Sequence, residues 1–325
     1  MASPDDVATS KAIQQRTGKT FHVATRLLPE RVREATYVLY AFFRVADEVV
    51  DDPEGKPPDE QRAELSRIRA AALGQSETDD PVLSAFQSIT DRYDIDDREV
   101  NAFMDAMEMD VTIDRYDTYP DLEKYLRGSS VAVGYMMLDV MDPDEKDRAR
   151  PHAKALGEAF QLTNFIRDVR EDVLEYDRVY LPAETLAANG VGHEDVVELE
   201  FSEGVADAVR EELARAERLY YYGVDGIRYL PEDCQFPVLA AAVMYADQHR
   251  LVRDHGYDVL STRPTLTMRR RLGLIARTRL RWQFSDDPLS VFDRVTDLEA
   301  SNADIGTDDE RFRSEYVNDV SAHSG

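Results

Sequence analysis

Two aspartates four residues apart, Asp47 and Asp51, are the first side chains whose spacing suggests chemistry. On a helix this spacing places both carboxylates on one face, about 6 Å apart along the axis. Tyr40 and Arg44 lie on the same stripe. Residues 35–46 are almost entirely apolar, so the helix should be buried, and buried acids need counter-ions or a metal. Two carboxylates facing one pocket suit Mg²⁺, which prefers oxygen ligands.

A second polar stripe follows further along the chain. Asn164, Asp168 and Asp172 step by four, and Gln161 precedes them by three. Arg167 lies beside the stripe, and the residues around it are largely apolar. Buried polar groups need partners, so this pattern also favours a site over a solvated helix face.

The two stripes together predict a specific arrangement. If the two helices face each other across a bundle, their carboxylates would hold a cluster of Mg²⁺ ions and, through it, a diphosphate. Arg44, Arg167 and Lys19 would complete the phosphate cage, since arginine suits bidentate contacts. The apolar interior of the bundle would accept a long hydrocarbon tail.

The acid-rich composition weakens any argument from spacing alone. The chain of 325 residues has 65 acidic and 39 basic residues and a net charge of −26. Acidic pairs at helical spacing therefore arise by chance, and Asp110/Asp114 and Asp117/Asp121 are expected to be solvated. The charge argues against a nucleic-acid partner, and it also disfavours docking to an anionic lipid face. Because six lysines accompany 33 arginines and the acids are spread evenly, we favour adaptation to high salt over an acidic interaction surface.

Other chemistries lack their sequence signatures. No nucleotide-binding glycine motif, nucleophile elbow or zinc-protease motif occurs, and the histidines show no ligand spacing. The single cysteine, Cys234, has no basic residue close to it in the sequence and is expected to pack in the core. No signal peptide or membrane-spanning segment is evident, so a cytoplasmic location is expected. No strongly basic amphipathic helix is evident either.

Helical periodicity dominates the chain, and alternating strand patterns are almost absent. This pattern predicts an all-α fold with one domain over residues 11–300, a flexible start at 1–10 and a loosely ordered acidic tail at 301–325. Apolar residues recur at three- and four-residue steps in seven segments, 31–50, 61–73, 98–115, 121–141, 148–173, 205–229 and 236–254.

Four segments resemble the squalene/phytoene synthase family, the head-to-head prenyl transferases. They read TGKTF, YVLYAFFRVADEVVD, GEAFQLTNFIRDVREDV and RVYLP, and the resemblance extends over about residues 10 to 275. Within the family they are most similar to the members that make phytoene, especially those of salt-loving archaea. The resemblance implies an all-α, single-domain helical bundle around a central apolar cavity, of the isoprenoid synthase type.

The resemblance also implies roles for individual residues. Asp47, Asp51, Asn164, Asp168 and Asp172 would bind Mg²⁺, and the four aspartates with Arg44 would be catalytic. Three departures from the family pattern stand out, Thr17 in place of a histidine, Glu48 in place of an aspartate, and the stretch Ser130–Gly134. Prenyl diphosphate would contact a larger set, Thr17, Gly18, Lys19, Thr20, Phe21, Tyr40, Arg44, Gln161, Arg167, Arg178 and Tyr245.

The implied reaction joins two geranylgeranyl diphosphates through a cyclopropyl diphosphate to give phytoene, in carotenoid biosynthesis. It would need Mg²⁺, for which Mn²⁺ could substitute, and no NADPH. Tyr40, Phe42, Phe43 or Phe165 could shelter the cations. The hydrophobic substrate and product imply contact with a membrane surface. Two alternatives remain: a squalene or dehydrosqualene synthase using two farnesyl diphosphates, and a non-catalytic acidic helical scaffold.

Overall fold

The computed structural model of the chain describes residues 19–51 and 55–299, with the backbone alone for 19–21. These residues form helices joined by turns, and the one β-bridge among them links Arg115 to Val179. The expected all-α class is therefore confirmed. The expected flexible start at 1–10 and acidic tail at 301–325 lie outside the described residues.

Helices follow one another closely along the described chain. Before residue 142 they are α1 (Lys19–Thr25), α2 (Glu30–Val50), α3 (Pro58–Ala72), α4 (Pro81–Tyr93), α5 (Asp97–Asp110), α6 (Tyr119–Leu126), a π-helical turn (Arg127–Ala132) and α7 (Val133–Met141). After it they are α8 (Lys146–Tyr176), α9 (Ala183–Ala188), α10 (His193–Val197), α11 (Glu203–Asp225), a 3₁₀ turn (Gly226–Tyr229), α12 (Glu232–Asp254), α13 (Met268–Trp282) and α14 (Pro288–Val295).

The helices that periodicity did not predict include α4, α13 and α14. Helix α4 begins at a clear local signal, because the Asp80 carboxylate accepts hydrogen bonds from the backbone N–H of Val82 and Leu83. Helix α13 has a similar start, where Thr267 accepts from the N–H of Arg270. Its apolar residues lie on both its buried and its exposed faces, so the sequence shows no single apolar stripe.

The long helix α8 organises the bundle. Its 31 residues extend over about 46 Å, and it packs most extensively along α11. The π-helical turn fits between α5 and α8 at two glycines. A Cβ on Gly128 would lie 2.1 Å from the Ala102 carbonyl oxygen, and one on Gly157 would lie 2.9 Å from that of Ser130. Only glycine permits this close approach.

A large apolar core and a smaller one fill the bundle. The smaller core packs the end of α8, including Ile166, Val169 and Val173, against α9 to α11. Helix α2 is buried around most of its circumference, as its apolar run predicts. None of the helices in residues 19–51 and 55–299 combines the length and hydrophobicity needed to span a bilayer.

Candidate active site

The first acidic stripe lies at the end of α2 and is gathered by one arginine. A terminal nitrogen of Arg44 lies 3.3 Å from an Asp47 carboxylate oxygen and 4.0 Å from one of Asp51. Its other terminal nitrogen lies 3.8 Å from Glu48, whose side chain is 64% exposed. Glu48 therefore points largely to solvent, whereas Asp47 and Asp51 are partly buried. Asp47 and Asp51 therefore form the predicted stripe, and both are paired with Arg44.

A buried polar cluster, the Asp110 platform, contacts Asp51 of this stripe and consists of Arg178, Asp110, Tyr125 and Tyr180. The Arg178 guanidinium lies 3.3 Å from an Asp51 oxygen and donates hydrogen bonds to the carbonyls of Val50 and Asp110 at 3.2 and 3.0 Å. The Asp110 carboxylate accepts hydrogen bonds from the Tyr125 and Tyr180 hydroxyls at 2.7 and 3.4 Å. The expectation that Asp110 is solvated was wrong, because α5 ends with this side chain facing two tyrosines in the core.

The second stripe lies on α8, and arginines from two parts of the chain hold it. The Arg167 Nε donates to Asp168 at 2.6 Å, and the Arg263 Nε donates to the same carboxylate at 2.7 Å. Arg263 also pairs with Glu171. No such ion pair reaches Asp172 among the described residues. The stripe therefore has one acid held by two arginines and one acid, Asp172, on which Arg167 and Arg178 act from beyond ion-pair distance.

A central cavity of about 840 Å³ lies between the helices. Most of its wall is apolar, with Phe43, Met107, Met137 and Leu156 as examples. Its charged and polar lining includes residues of both stripes, of α12 and of the segments after α12. These residues are Tyr40, Arg44, Asp47, Gln161, Asn164, Arg167, Tyr245, Gln248, Arg263 and Arg271.

Of the eleven predicted site residues whose side chains the structure describes, seven line this cavity, and Asp51, Asp168, Asp172 and Arg178 do not. Arg178 holds Asp51, and Asp168 is held by the cavity-lining Arg167 and Arg263. Thr17 and Gly18, and the side chains of Lys19, Thr20 and Phe21, lie outside the described residues. Ser130, Val133 and Gly134 of the stretch that departs from the family pattern contribute to the cavity wall.

Two of the four candidate aromatic residues lie elsewhere. Tyr40 and Phe43 line the cavity, whereas Phe42 stacks on Phe86 at 3.8 Å in the core. Phe165 stacks on Tyr180 at 4.0 Å beside the Asp110 platform. The expectation that Phe42 and Phe165 could shelter a cation in the cavity is not supported, because each faces away from the cavity lining.

Burial makes several of these acids hard to ionise. Burial, with the nearby charge of Asp51, raises the pKa of Asp47 to about 7 despite the opposing effect of Arg44. Burial and the charges of Asp168 and Glu171 raise the pKa of Asp172 to about 8. Asp110 is raised by burial to a pKa of about 6. Such shifted carboxyl groups around one cavity are typical of functional sites.

The donor set fits a hard cation in its chemistry. The carboxylates of the two stripes and the Asn164 amide are oxygen donors, and the raised pKa values of Asp47 and Asp172 mark negative charge that the protein does not fully neutralise. Within the described residues no three His, Cys, Asp or Glu side chains converge on a single point. Water and substrate would therefore supply the remaining ligands of an ion bound here, as they usually do for Mg²⁺.

Two cationic residues of the cavity were missed from the sequence. Arg271 is 7% exposed, and its Nε has no hydrogen-bond partner in the described structure. Burial and the neighbouring charge of Arg167 lower its pKa, so this end of the cavity has positive charge in excess. Arg263 precedes a proline in the segment after α12. The run Arg269–Arg271 in such an acidic chain was the available signal for Arg271.

The fold and this cavity define an all-α protein of the isoprenoid synthase type, with acidic helices at one end of an apolar pocket. The chain belongs to the squalene/phytoene synthase family, because the squalene/phytoene synthase family model matches residues 14–270.

Curated relatives and solved structures agree with this assignment. A phytoene synthase of Rhodobacter capsulatus is 32% identical over 270 residues, covering 82% of this chain and 78% of the relative. A 15-cis-phytoene synthase of Synechococcus elongatus is 30% identical over 273 residues, covering 81% and 88%. Among solved structures, a ligand-bound dehydrosqualene synthase matches with a TM-score of 0.78 at 26% identity, covering 86% of this chain and 98% of that one.

Proposed function

We propose that the protein is a phytoene synthase, which condenses two geranylgeranyl diphosphates head to head. The observation that carries this proposal is the cavity itself, with clustered arginines and acids at one end and a long apolar wall beyond them. The curated phytoene synthases with about 30% identity over most of the chain support the choice within the family.

The arginines of the cavity would receive the diphosphate. The Nε atoms of Arg44 and Arg271 are buried without hydrogen-bond partners in the described structure, so both have donors to offer an anion. Arg167 lies in the same lining. Guanidinium groups in a poorly solvated site stabilise the negative charge that develops on a departing diphosphate. Lys19 and its neighbours would contribute from the N-terminal segment.

Asp47, Asp51, Asn164, Asp168 and Asp172 would hold Mg²⁺, or Mn²⁺ in its place. When bound, the metal would supply Lewis-acid stabilisation of the diphosphate. The chain's own residues set the conditions for this. Arg178 holds Asp51, and Arg44 pairs with Asp47 and Asp51, so that Asp47 is held in one position in the cavity lining.

The apolar part of the cavity would hold the hydrocarbon chains and exclude water. Loss of diphosphate from one substrate gives an allylic cation, and the double bond of a second molecule attacks it. Proton loss then closes a cyclopropyl diphosphate, whose own ionisation, rearrangement and proton loss give phytoene. Water would trap these cations, so a dry wall such as that of Phe43, Met107 and Met137 is required. The electron-rich face of Tyr40 or Phe43 would stabilise positive charge.

A dehydrosqualene or squalene synthase is the second candidate, favoured by the structural match to a ligand-bound dehydrosqualene synthase. Such an enzyme would use two farnesyl diphosphates in the same cavity, and squalene formation would also need NADPH. We further propose that the protein works in the cytoplasm at a membrane surface, because the hydrocarbons it handles are almost insoluble in water.

The test is to incubate purified protein with labelled geranylgeranyl or farnesyl diphosphate, with and without Mg²⁺ and NADPH, over a range of salt concentrations. Phytoene from the C20 donor with Mg²⁺ and without NADPH is expected. Asp168→Asn should lower the rate by about 10²-fold or more, as losses of charged transition-state contacts do. Asp207→Asn removes a comparable ion-paired acid on the surface and should leave the rate unchanged.

Three other outcomes would contradict the proposal. A C30 hydrocarbon from the C15 donor would assign the protein to the second candidate. No product from either donor with folded protein would favour the non-catalytic scaffold. Equal rates for Asp168→Asn and wild type would remove Asp168 from the proposed active site.

A further inference from the structure

Helix α13 exposes an apolar stripe to solvent. Met268, Leu272 and Leu280 lie at multiples of four residues along it, and Phe284 continues the same spacing just beyond its end. Their exposed fractions are 51%, 57%, 57% and 82%. Ala276 fills the missing step and is exposed as well. Because each step of four residues turns by about 40° around the helix axis, this row runs diagonally across the exposed side of α13. Large apolar side chains gathered on one exposed side mark an interaction site rather than scattered exposure.

The charge of this helix is opposite to that of the chain. Its 15 residues include six arginines and no acid, in a protein with a net charge of −26. Arg269, Arg277 and Arg281 are exposed and border the stripe, and no ion pair reaches them from the described residues. Some exposed arginines elsewhere, such as Arg62, pair with an acid, whereas others, such as Arg92 and Arg115, lie far apart along the chain and have no such pair among the described residues. The stripe is therefore bordered by uncompensated positive charge.

The opposite face of α13 belongs to the cavity. Leu274 and Thr278 are buried beneath the helix, and Arg271 lines the cavity. The segment that leads into the helix, residues 263–266, lines the cavity too. One helix thus has the cavity on its inner side and a basic, apolar surface on its outer side.

We propose that α13 docks the protein on an anionic lipid surface. The four exposed apolar side chains enter the interface, and Arg269, Arg277 and Arg281 contact the headgroup phosphates, with their aliphatic stems lying along the apolar boundary. The net charge of −26 and the sequence pattern predicted neither a strongly basic amphipathic helix nor docking on anionic lipid. Helix α13 differs from the rest of the chain locally, because it has six arginines and no acid, and its exposed apolar residues are recognised only once its buried face is known.

Charge selects lipid over the other occupants of such a face. Among the described residues, a second copy of this chain offers a short surface of that kind, Val197 and Phe201 beside Glu198 and Glu200, whereas the exposed apolar row of α13 extends from Met268 to Phe284. A lipid headgroup region presents both chemistries at once, phosphates above an apolar layer. Docking here would hold the cavity wall against the membrane, so that hydrocarbon could move between the two without crossing water. This last consequence rests on the proposed function, whereas the docking itself does not.

The experiment is co-sedimentation of the full-length protein with phosphatidylcholine vesicles, prepared with and without phosphatidylglycerol, in the absence of substrate. Wild type should bind the anionic vesicles at least tenfold more strongly than the neutral ones, and binding should weaken as salt rises. Leu272→Ser combined with Phe284→Ser, and separately Arg277→Gln combined with Arg281→Gln, should each lower binding by about tenfold or more. Phe201→Ser combined with Arg62→Gln alters exposed residues outside α13 and should bind as wild type does.

Several results would overturn this proposal. They are equal binding to both vesicle types, α13 variants that bind as wild type does, and no binding at all. A wild-type dimer that the α13 variants convert to monomer in size-exclusion chromatography would assign the face to a second copy. Product assays in detergent separate this proposal from the proposed function. Phytoene formation without vesicle binding removes only the docking, and vesicle binding without product from either donor removes only the enzymatic function.

Discussion

The two acidic stripes look alike in sequence but are stabilised from opposite sides. Asp51 of the first stripe is paired with Arg178, whose side chain is 10% exposed and whose other donors bond to two backbone carbonyls. Asp168 of the second stripe shares its carboxylate between Arg167 and Arg263, and the Arg263 side chain is 43% exposed. The first stripe is therefore fixed from within the protein, whereas the second depends partly on a counter-ion from a solvent-accessible connection.

The two stripes therefore differ in how readily their acids can exchange a cationic partner. An acid fixed by a buried arginine keeps its position whether or not a ligand is present. An acid neutralised by an exposed arginine can exchange that partner for another cation at low cost, because exposed ion pairs contribute little to stability. Three substitutions test how the acids of the two stripes are held.

The largest effect is expected for Arg178→Met. Removing this guanidinium leaves Asp51 and Asp110 close together without a buried counter-ion, so the free energy of unfolding should fall by about 3–5 kcal/mol. Urea unfolding in metal-free buffer measures it. Arg62→Met, on the surface, is the control and should change stability by less than about 0.5 kcal/mol. A loss below that of typical surface variants would show that Arg178 does not fix the first stripe.

Asp172→Asn should stabilise the protein while it lowers activity. At pH 8 the substitution relieves a buried charge beside Asp168 and Glu171, and the free energy of unfolding should rise by about 1–2 kcal/mol. Because the folded-state pKa of about 8 lies above that of an ordinary aspartate, the wild type loses stability as pH rises towards 8. The gain should therefore shrink as pH falls towards 4, roughly the pKa of an unperturbed aspartate. Thermal unfolding at several pH values tests this. A destabilised variant at pH 8 would contradict it.

Arg263→Gln should have the smallest effect on stability, less than about 1 kcal/mol, because the pair it forms with Asp168 is exposed on one side. It should nevertheless tighten Mg²⁺ binding, since the ion no longer competes with this guanidinium. A difference of about 1 kcal/mol corresponds to roughly fivefold in affinity. Calorimetric titration with Mg²⁺ alone provides the measurement, and weaker binding than wild type would place Arg263 among the groups that assist the ligand.

The residues that form the two stripes were predictable from the sequence alone. Helical spacing is a local property, so Asp47, Asp51 and the row from Gln161 to Asp172 could be recognised without knowledge of the fold. The all-α class followed from the same periodicity. The packing of Cys234 was also predictable, and the side chain is fully buried.

The ion-pair partners of these stripes depend on tertiary packing and were not predictable from the sequence. Arg178 meets Asp51 across 127 positions of sequence, and Arg263 meets Asp168 across 95. Spacing along one helix cannot encode such contacts, because they depend on how distant helices pack. The same reason applies to Asp110, whose burial depends on Tyr125 and Tyr180, and to α13, where packing decides which of two apolar faces is buried.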